Sequence, residues 1–461
     1  KDFDFYNDDF TMLEFNSDNY LKIFFKTDAW WRPLKNIFYN FFNQNFYLLA
    51  SPIVATKIII HALFTIIIFN FLKKFQNNLS TILLSLLFFF LQSSFSSSIL
   101  IDTLGQLLVS FFGVISFFFT YSYVRKPSQK KYLNYSYLFI VFAFLSKEIA
   151  VTFVMINIFT LIYHSKFNII FNYDKVSKID VLKISLIFVF LVILYLLIRN
   201  FLGATWQPTN LGSDRYSLGI GINVLKNFFQ YFFSIINPVD NLFIYLIYQN
   251  KNILFISIVV IFFVFYILYL TRRFISSFGP ETFFRFLIFL ISCLPIILLN
   301  KIGELYTYSS SFFFIFFLQK ILLKKGNIIL ILLLFINFFS ILNKIDSVNI
   351  ISNQKKNIDK FFKQIDSELR TKDLYVLHNK SKFKYSYYHL PSFDWIYPSF
   401  QFKKDYGKSY ILVIDEEKIN QEIIENSIII RSTEFENRDF SLRNKICFNF
   451  IYSSKKTICN F

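Results

Sequence analysis

Residues 183–199 read KISLIFVFLVILYLLIR, and residues 53–72 read IVATKIIIHALFTIIIFNFL. Neither stretch alternates apolar with polar residues, and each approaches the ~20 residues that a helix needs to cross a bilayer. Blocks of this kind recur. Candidate spans lie near 53–72, 80–92, 104–123, 132–146, 149–163, 183–199, 252–270, 283–299, 309–322 and 326–343. Several are short for a straight crossing, which implies tilted or broken helices. The fold class expected is a polytopic α-helical membrane protein.

Composition points the same way. Apolar residues occupy 55% of 461 positions, Phe alone supplies 67, and there are only 10 Gly and 9 Pro. A soluble chain of this length cannot hide that much apolar surface, and continuous apolar text excludes a transmembrane barrel, whose strands alternate. Disordered, collagen-like and disulfide-scaffold classes are excluded by the same numbers. The Phe, Ile, Asn and Lys bias has the flavour of low-GC coding, so the Phe count says little about function and the expected source is a bacterium.

A formal charge of +18 would suggest nucleic acid in a soluble protein, but here its placement matters more than its sum, and no nucleic acid partner is expected. Basic clusters fall at Lys73-Lys74, at Arg125-Lys126 with Lys130-Lys131, across Lys166 to Lys183, at Arg272-Arg273, and at Lys320 with Lys324-Lys325. They alternate with loops nearly free of basic residues around 93–102, 146–148 and 300–308. Basic loops stay cytoplasmic. All of them can do so if the segment 220–248 lies at the outer interface; if 222–247 crosses, Arg272-Arg273 moves outside. The first arrangement places residues 1–50 and the tail on the outer face of the bilayer, in a bacterial inner membrane. The chain opens with Lys1 and polar text, so a further helix or signal anchor is expected upstream, for a total of about eleven.

The organisation expected is a first outer loop over 1–50, a transmembrane domain over 51–344, and an extracytoplasmic α/β domain over 345–461. In that tail, helix-like text at 352–370 precedes strand-like runs at 373–378, 409–415 and 427–432. No repeat of helical-solenoid length is visible. Cys447 and Cys459 are either a disulfide in a C-terminal hairpin or two unrelated thiols, and Cys293 within a span is read as structural.

Four polar groups stand at the expected outer ends of spans, where charge is costly without a reason. Asp8-Asp9, in YNDDF, supply a general base, a divalent-metal ligand, or merely a solvated acidic tail. Arg32, in WWRPL, precedes a proline suited to the first position of a helix; its guanidinium suits bidentate phosphate binding or simple anchoring among headgroups. Lys147-Glu148 interrupt the apolar run 132–163, marking either an aqueous cavity or a tight loop reaching water. Glu304, Tyr306 and Tyr308, in GELYTY, suit a polyol, although Tyr is also common at interfaces.

Taken in order, the acidic pair, the Arg-Pro-Leu, His61 in KIIIHALF, the Ser-Lys-Glu and the Glu-x-Tyr-x-Tyr resemble the GT-C superfamily of polyprenyl-phosphate-sugar glycosyltransferases over roughly residues 5–345. The similarity is to the membrane half of the transmembrane-and-tetratricopeptide-repeat O-mannosyltransferases and their bacterial relatives. It implies a catalytic carboxylate at Asp9 or Asp8, donor-phosphate contacts from Arg32 and Lys147, and substrate contacts from Glu148, Glu304, Tyr306, Tyr308 and His61. Leu305 departs from the Glu-Arg-x-x-Tyr pattern, and no helical repeats follow the spans, so acceptor recognition by such repeats does not carry over.

The chemistry implied needs no strong acid, because polyprenyl phosphate is already a good leaving group. A carboxylate takes the acceptor proton, cations hold the departing phosphate, and one displacement inverts the anomeric carbon. Arg215 in WQPTNLGSDRYSLG is a further phosphate candidate. The partners expected are a polyprenyl-phosphate sugar, the lipid bilayer, and an acceptor protein, glycan or lipid. Cofactor need is open, since an Asp pair serves as base or as metal ligand. Two rival classes are a noncatalytic assembly scaffold, which tolerates replacement of the acidic pair, and a transporter or flippase, which usually carries internal repeats.

Overall fold

The structure is a computed structural model, and it describes residues 17–27, 31–46, 50–75, 79–99, 103–171, 176–204, 221–236, 253–298, 307–322, 327–364, 366–371, 373–377, 411–413, 427–433, 447–451 and 456–457. The helices are α1 (Tyr20–Phe25), α2 (Pro33–Asn45), α3 (Ala50–Leu72), α4 (Leu79–Phe90), α5 (Gln92–Ile99), α6 (Leu104–Arg125), α7 (Lys131–Ser146), α8 (Val151–Phe171), α9 (Lys178–Phe201), α10 (Ile222–Ile236), α11 (Ile253–Ser276), α12 (Pro280–Ile297), α13 (Tyr308–Ile321), α14 (Asn327–Gln364) and α15 (Asp366–Thr371). Each apolar run picked out in the sequence overlaps a helix, and the run 80–92 is interrupted at Leu91 between α4 and α5.

Among the described residues, Ser51–Leu72, Leu104–Arg125, Glu148–Phe167 and Lys178–Phe201 are long and apolar enough to cross a membrane, while Leu79–Phe90 and Asn327–Leu342 are apolar but shorter. α9 shows why the solvent of this fold is lipid. It buries Ile184, Phe188, Tyr195 and Arg199 and leaves Leu186, Phe190, Ile193 and Leu197 exposed. Exposed apolar area on that scale is unfavourable in water and neutral in hydrocarbon. The chain is a helical membrane protein.

At the centre stands α13, whose residues are buried on every side except at Lys320, the mark of an interior helix. Phe312, Phe313 and Phe316 meet Phe71, Phe117 and Phe118 from α3 and α6 at ring distances of 5.3 to 6.3 Å. Lipid gives no hydrophobic drive for helices to associate, so packing and interhelical hydrogen bonds must hold them. Ser136 of α7 accordingly lies 2.9 Å from the Ser116 hydroxyl and 2.7 Å from that of Thr120, and Asn157 of α8 donates to Ser116 at 2.9 Å. Gly113 lets α8 close on α6, because a Cβ there would lie 2.3 Å from Cδ2 of the buried Phe153. Gly113→Ala is therefore expected to cost about 1–3 kcal/mol by overpacking. A thermal midpoint equal to that of the parent would show that the contact relaxes without cost.

Long-range contacts sort the helix termini into two ends. One end holds Lys57 with Thr103, Arg32 with Glu148, Ser110 with Ser309, and Asn227 with the Ile297 carbonyl. The other holds Arg285 with the Phe316 carbonyl, Gln319 with the Leu72 carbonyl, and Tyr163 with the Pro280 carbonyl. Lys73, Lys74, Arg125, Lys126 and Lys320 cluster at this second end, away from Lys147. The apolar face of α10, Ile222, Leu225, Phe229 and Phe233, is exposed, and its other side packs Phe232 on Phe289 at 5.7 Å.

α14 runs unbroken through 38 residues, so the boundary drawn at 344/345 falls inside a helix. Beyond it, β1 (Asp373–Leu377), β2 (Ile411–Val413), β3 (Ser427–Thr433), β4 (Cys447–Ile451) and β5 (Lys456–Thr457) form one sheet in the order β2-β1-β3-β4-β5. β1 is parallel to both β2 and β3, with Tyr375 opposite Ile411 and Ile429, whereas β3, β4 and β5 are antiparallel. Cys447 lies on β4; the suggested pairing with Cys459 lies outside the described residues. Cys293 is buried as a free thiol.

Candidate functional site

Pro33 opens α2 at its first position, as its fixed φ favours, and leaves Arg32 just outside the helix with no capping role for its side chain. The guanidinium instead reaches Glu148, 116 residues away in sequence: Nε donates to Oε2 at 3.0 Å and Nη2 to Oε1 at 2.6 Å. Glu148 is presented by a break in the helical text. Lys147 is extended (φ −167, ψ 147), which ends α7, and a single 3-10 turn over Glu148–Ala150 leads into α8. Two parallel N–H···O bonds form the fork that guanidinium makes with carboxylate or phosphate. Arg32 and Glu148, expected on a phosphate and a substrate respectively, are here each other's partners.

More positive charge surrounds this pair. Lys147 and Arg32 both lie within electrostatic reach of Glu148, and Glu148, Arg199 and Arg32 all act on the Tyr195 hydroxyl. Arg199 follows Tyr195 by four residues and so shares its face of α9. Tyr195 stacks on Trp31 at 5.8 Å and on Phe144 at 4.8 Å, walling one side with aromatic rings. Gly105 opens the other side: a Cβ there would lie 3.3 Å from the Ser146 carbonyl oxygen and 3.4 Å from Lys35 Cδ, so the Lys35 stem threads between α6 and the end of α7.

α2 buries polar and aromatic residues together. Lys35, Asn36, Asn40 and Asn43 are buried along with Tyr39 and Phe42, while Phe41, Asn45 and, just past the helix, Phe46 are exposed. Asn40 ties down the chain before α1 by accepting from the Ser17 N–H at 2.8 Å and donating to its carbonyl at 3.0 Å. Next to this polar face, Lys57 is fully buried and donates to Thr103 Oγ1 at 2.7 Å; Thr103 passes its own proton to the Ser97 carbonyl at 2.7 Å. Among the described residues, Asn36 Oδ1, Ser94 Oγ, Gln106 Oε1 and Thr152 Oγ1 are buried at this end without a hydrogen-bond partner. Buried acceptors and hydroxyls of that kind ask for water or a polar ligand.

His61 and Tyr308 also meet. His61 Nε2 lies 3.1 Å from the Phe89 carbonyl, which accepts, so in the neutral ring Nδ1 accepts from the Tyr308 hydroxyl at 2.7 Å. Both side chains are fully buried, and the pair braces α3 against the start of α13, immediately after residues 304–306. Asp8, Asp9, Arg215, Glu304 and Tyr306 lie outside the described residues. No three His, Cys, Asp or Glu side chains converge as a metal site among the described residues.

Sequence reasoning missed Lys35, Lys57 and Arg199. A signal for the first was present, since Lys35, Asn36, Asn40 and Asn43 recur at helical spacing, but hydropathy assigns such a stripe to solvent. Arg199 read as the flank of a span, and only its shared face with Tyr195 shows that it turns inward. No family model, no curated protein and no solved structure matches this chain.

Proposed function

We propose that the chain transfers a sugar from a polyprenyl-phosphate donor to an acceptor hydroxyl at the Arg32 end of the bundle, with inversion. The observation that carries this reading is the Arg32–Glu148 fork with Lys147 beside it and Arg199 at the adjoining Tyr195, a cluster of cationic side chains on a membrane-embedded fold. Arg32 and Lys147, with Arg215, hold the departing phosphate; Asp9 or Asp8 takes the acceptor proton; Glu148, Glu304, Tyr306, Tyr308 and His61 shape the substrate side. In this reading about ten spans cross a bacterial inner membrane, the Arg32 end faces outward, and the segment from 345 forms an extracytoplasmic α/β domain. The buried polar residues of α2 and its outward Phe41 fit a cleft that opens sideways to the bilayer and admits the lipid tail.

The test is purified protein with a pool of lipid-linked sugars and cell-envelope acceptors, read by mass spectrometry for a new glycosidic bond. Arg32→Ala and Lys147→Ala are each expected to weaken donor binding by about 10–100-fold, the worth of one hydrogen-bonded charge. Unchanged binding in both variants, or substrate movement across vesicles with no bond formed, overturns the assignment.

A further inference from the structure

We propose that the Glu148 carboxylate is an internal stand-in for the donor phosphate, a latch on Arg32 that the phosphate must displace. This rests on the donor-site reading above. A carboxylate and a phosphate offer a guanidinium the same two-oxygen edge, so one Arg32 fork cannot hold both in the geometry observed, 2.6 and 3.0 Å to the two oxygens of Glu148. The pair is also reachable. The Arg32 and Glu148 side chains are 16% and 27% exposed, against 2% for the structural Arg285 at the other end.

The backbone permits the exchange. Glu148 stands in one 3-10 turn between an extended Lys147 and the start of α8, so its side chain can swing without unwinding either flanking helix. Charge drives it. Arg32 and Lys147 both act on the single charge of Glu148, and a phosphate carrying more charge attracts the same two cations more strongly. A carboxylate left in the fork would repel the phosphate, so occupancy of the site and release of Glu148 are one event. The freed carboxylate then stands beside the newly bound donor, where it can accept from sugar hydroxyls. Without a donor, the carboxylate occupies the Arg32 fork and excludes adventitious anions.

The experiment titrates sugar-free decaprenyl monophosphate into the full chain in detergent, comparing parent, Glu148→Gln, Glu148→Asp and Glu148→Gln with Arg32→Ala. Neutralising the competitor is expected to tighten binding about 10-fold, the difference between a charged and a neutral hydrogen-bonded partner for Arg32. Glu148→Asp keeps the charge but shortens the reach, so it should tighten binding by a smaller factor; it decides the matter if the Gln variant does not fold. Adding Arg32→Ala should erase the gain, a coupling that a merely structural Glu148 would not show. If the parent binds and neither Glu148 variant binds tighter, the latch is wrong while the donor site stands. If no form binds, the donor-site reading falls and the latch falls with it.

Discussion

Turnover is expected to fall by about 10²–10⁴-fold in Asp9→Asn or in Asp8→Asn, whichever carboxylate is the base, with donor binding largely intact. Asparagine keeps the shape and loses the basicity. A group that accepts the acceptor's proton as the new bond forms is needed only in the transition state, so kcat should drop while the affinity for decaprenyl phosphate holds. In the proposed reading Arg32→Ala has the opposite signature, because there its charge would meet the phosphate before any chemistry occurs. The two classes of variant therefore separate base from binding site in one pair of measurements. Full activity in the Asp8→Asn, Asp9→Asn double variant would remove these residues from the mechanism. A scaffold would tolerate the acidic-pair and Arg32 changes alike.

The sequence carried the helices well and their meetings poorly, for reasons particular residues show. Pro33 marks the start of α2 because its ring fixes φ and its missing N–H costs nothing there, and the helix does begin at that residue. Lys147-Glu148 mark a break because charge in an apolar run is expensive, and the backbone does extend at Lys147. The Arg32–Glu148 pair was not legible, since both residues were singled out but nothing local to either says that residue 32 meets residue 148. Lys35 was hidden by the opposite effect. Hydropathy describes transfer from water, and it sends a polar stripe outward unless the interior is known to be polar. In this fold the bilayer is the outside for much of the surface, so α2 can turn Lys35, Asn36, Asn40 and Asn43 in and Phe41 out, while Tyr39 and Phe42 are buried as well. The strand-like runs 373–378, 409–415 and 427–432 each overlap a strand, yet the order β2-β1-β3-β4-β5 depends on crossovers that periodicity does not encode.

Arg285→Ala is expected to cost about 3–5 kcal/mol of stability, the loss seen when one member of a buried ionic network is removed. The side chain is 2% exposed and uses both terminal nitrogens at the end of the bundle opposite the candidate site, while its buried Nε has no hydrogen-bond partner among the described residues. Nη1 donates to the Phe316 carbonyl at 2.9 Å and to Gln319 Oε1 at 3.0 Å, and Nη2 donates to Glu281 Oε1 at 2.6 Å, one helical turn back. Its guanidinium lies 4.1 Å from the Phe316 ring centroid and 4.7 Å from that of Phe75. Lys320 closes the network on Glu281 Oε2 at 2.7 Å, and Gln319 ties it to the Leu72 carbonyl at 2.9 Å. One residue thus fastens the ends of α3, α12 and α13. Alanine would leave a cavity, strip Gln319 and the Phe316 carbonyl of a donor, and halve the compensation of Glu281. Arg285→Met refills the volume and should recover part of the loss, whereas Arg285→Lys keeps the charge but not the fork, so the order of the three variants separates packing from hydrogen bonding. In detergent the alanine variant should unfold on the order of 5–15 °C lower than the parent. A midpoint within a degree or two of the parent would show that the basic end is held by its aromatic packing alone.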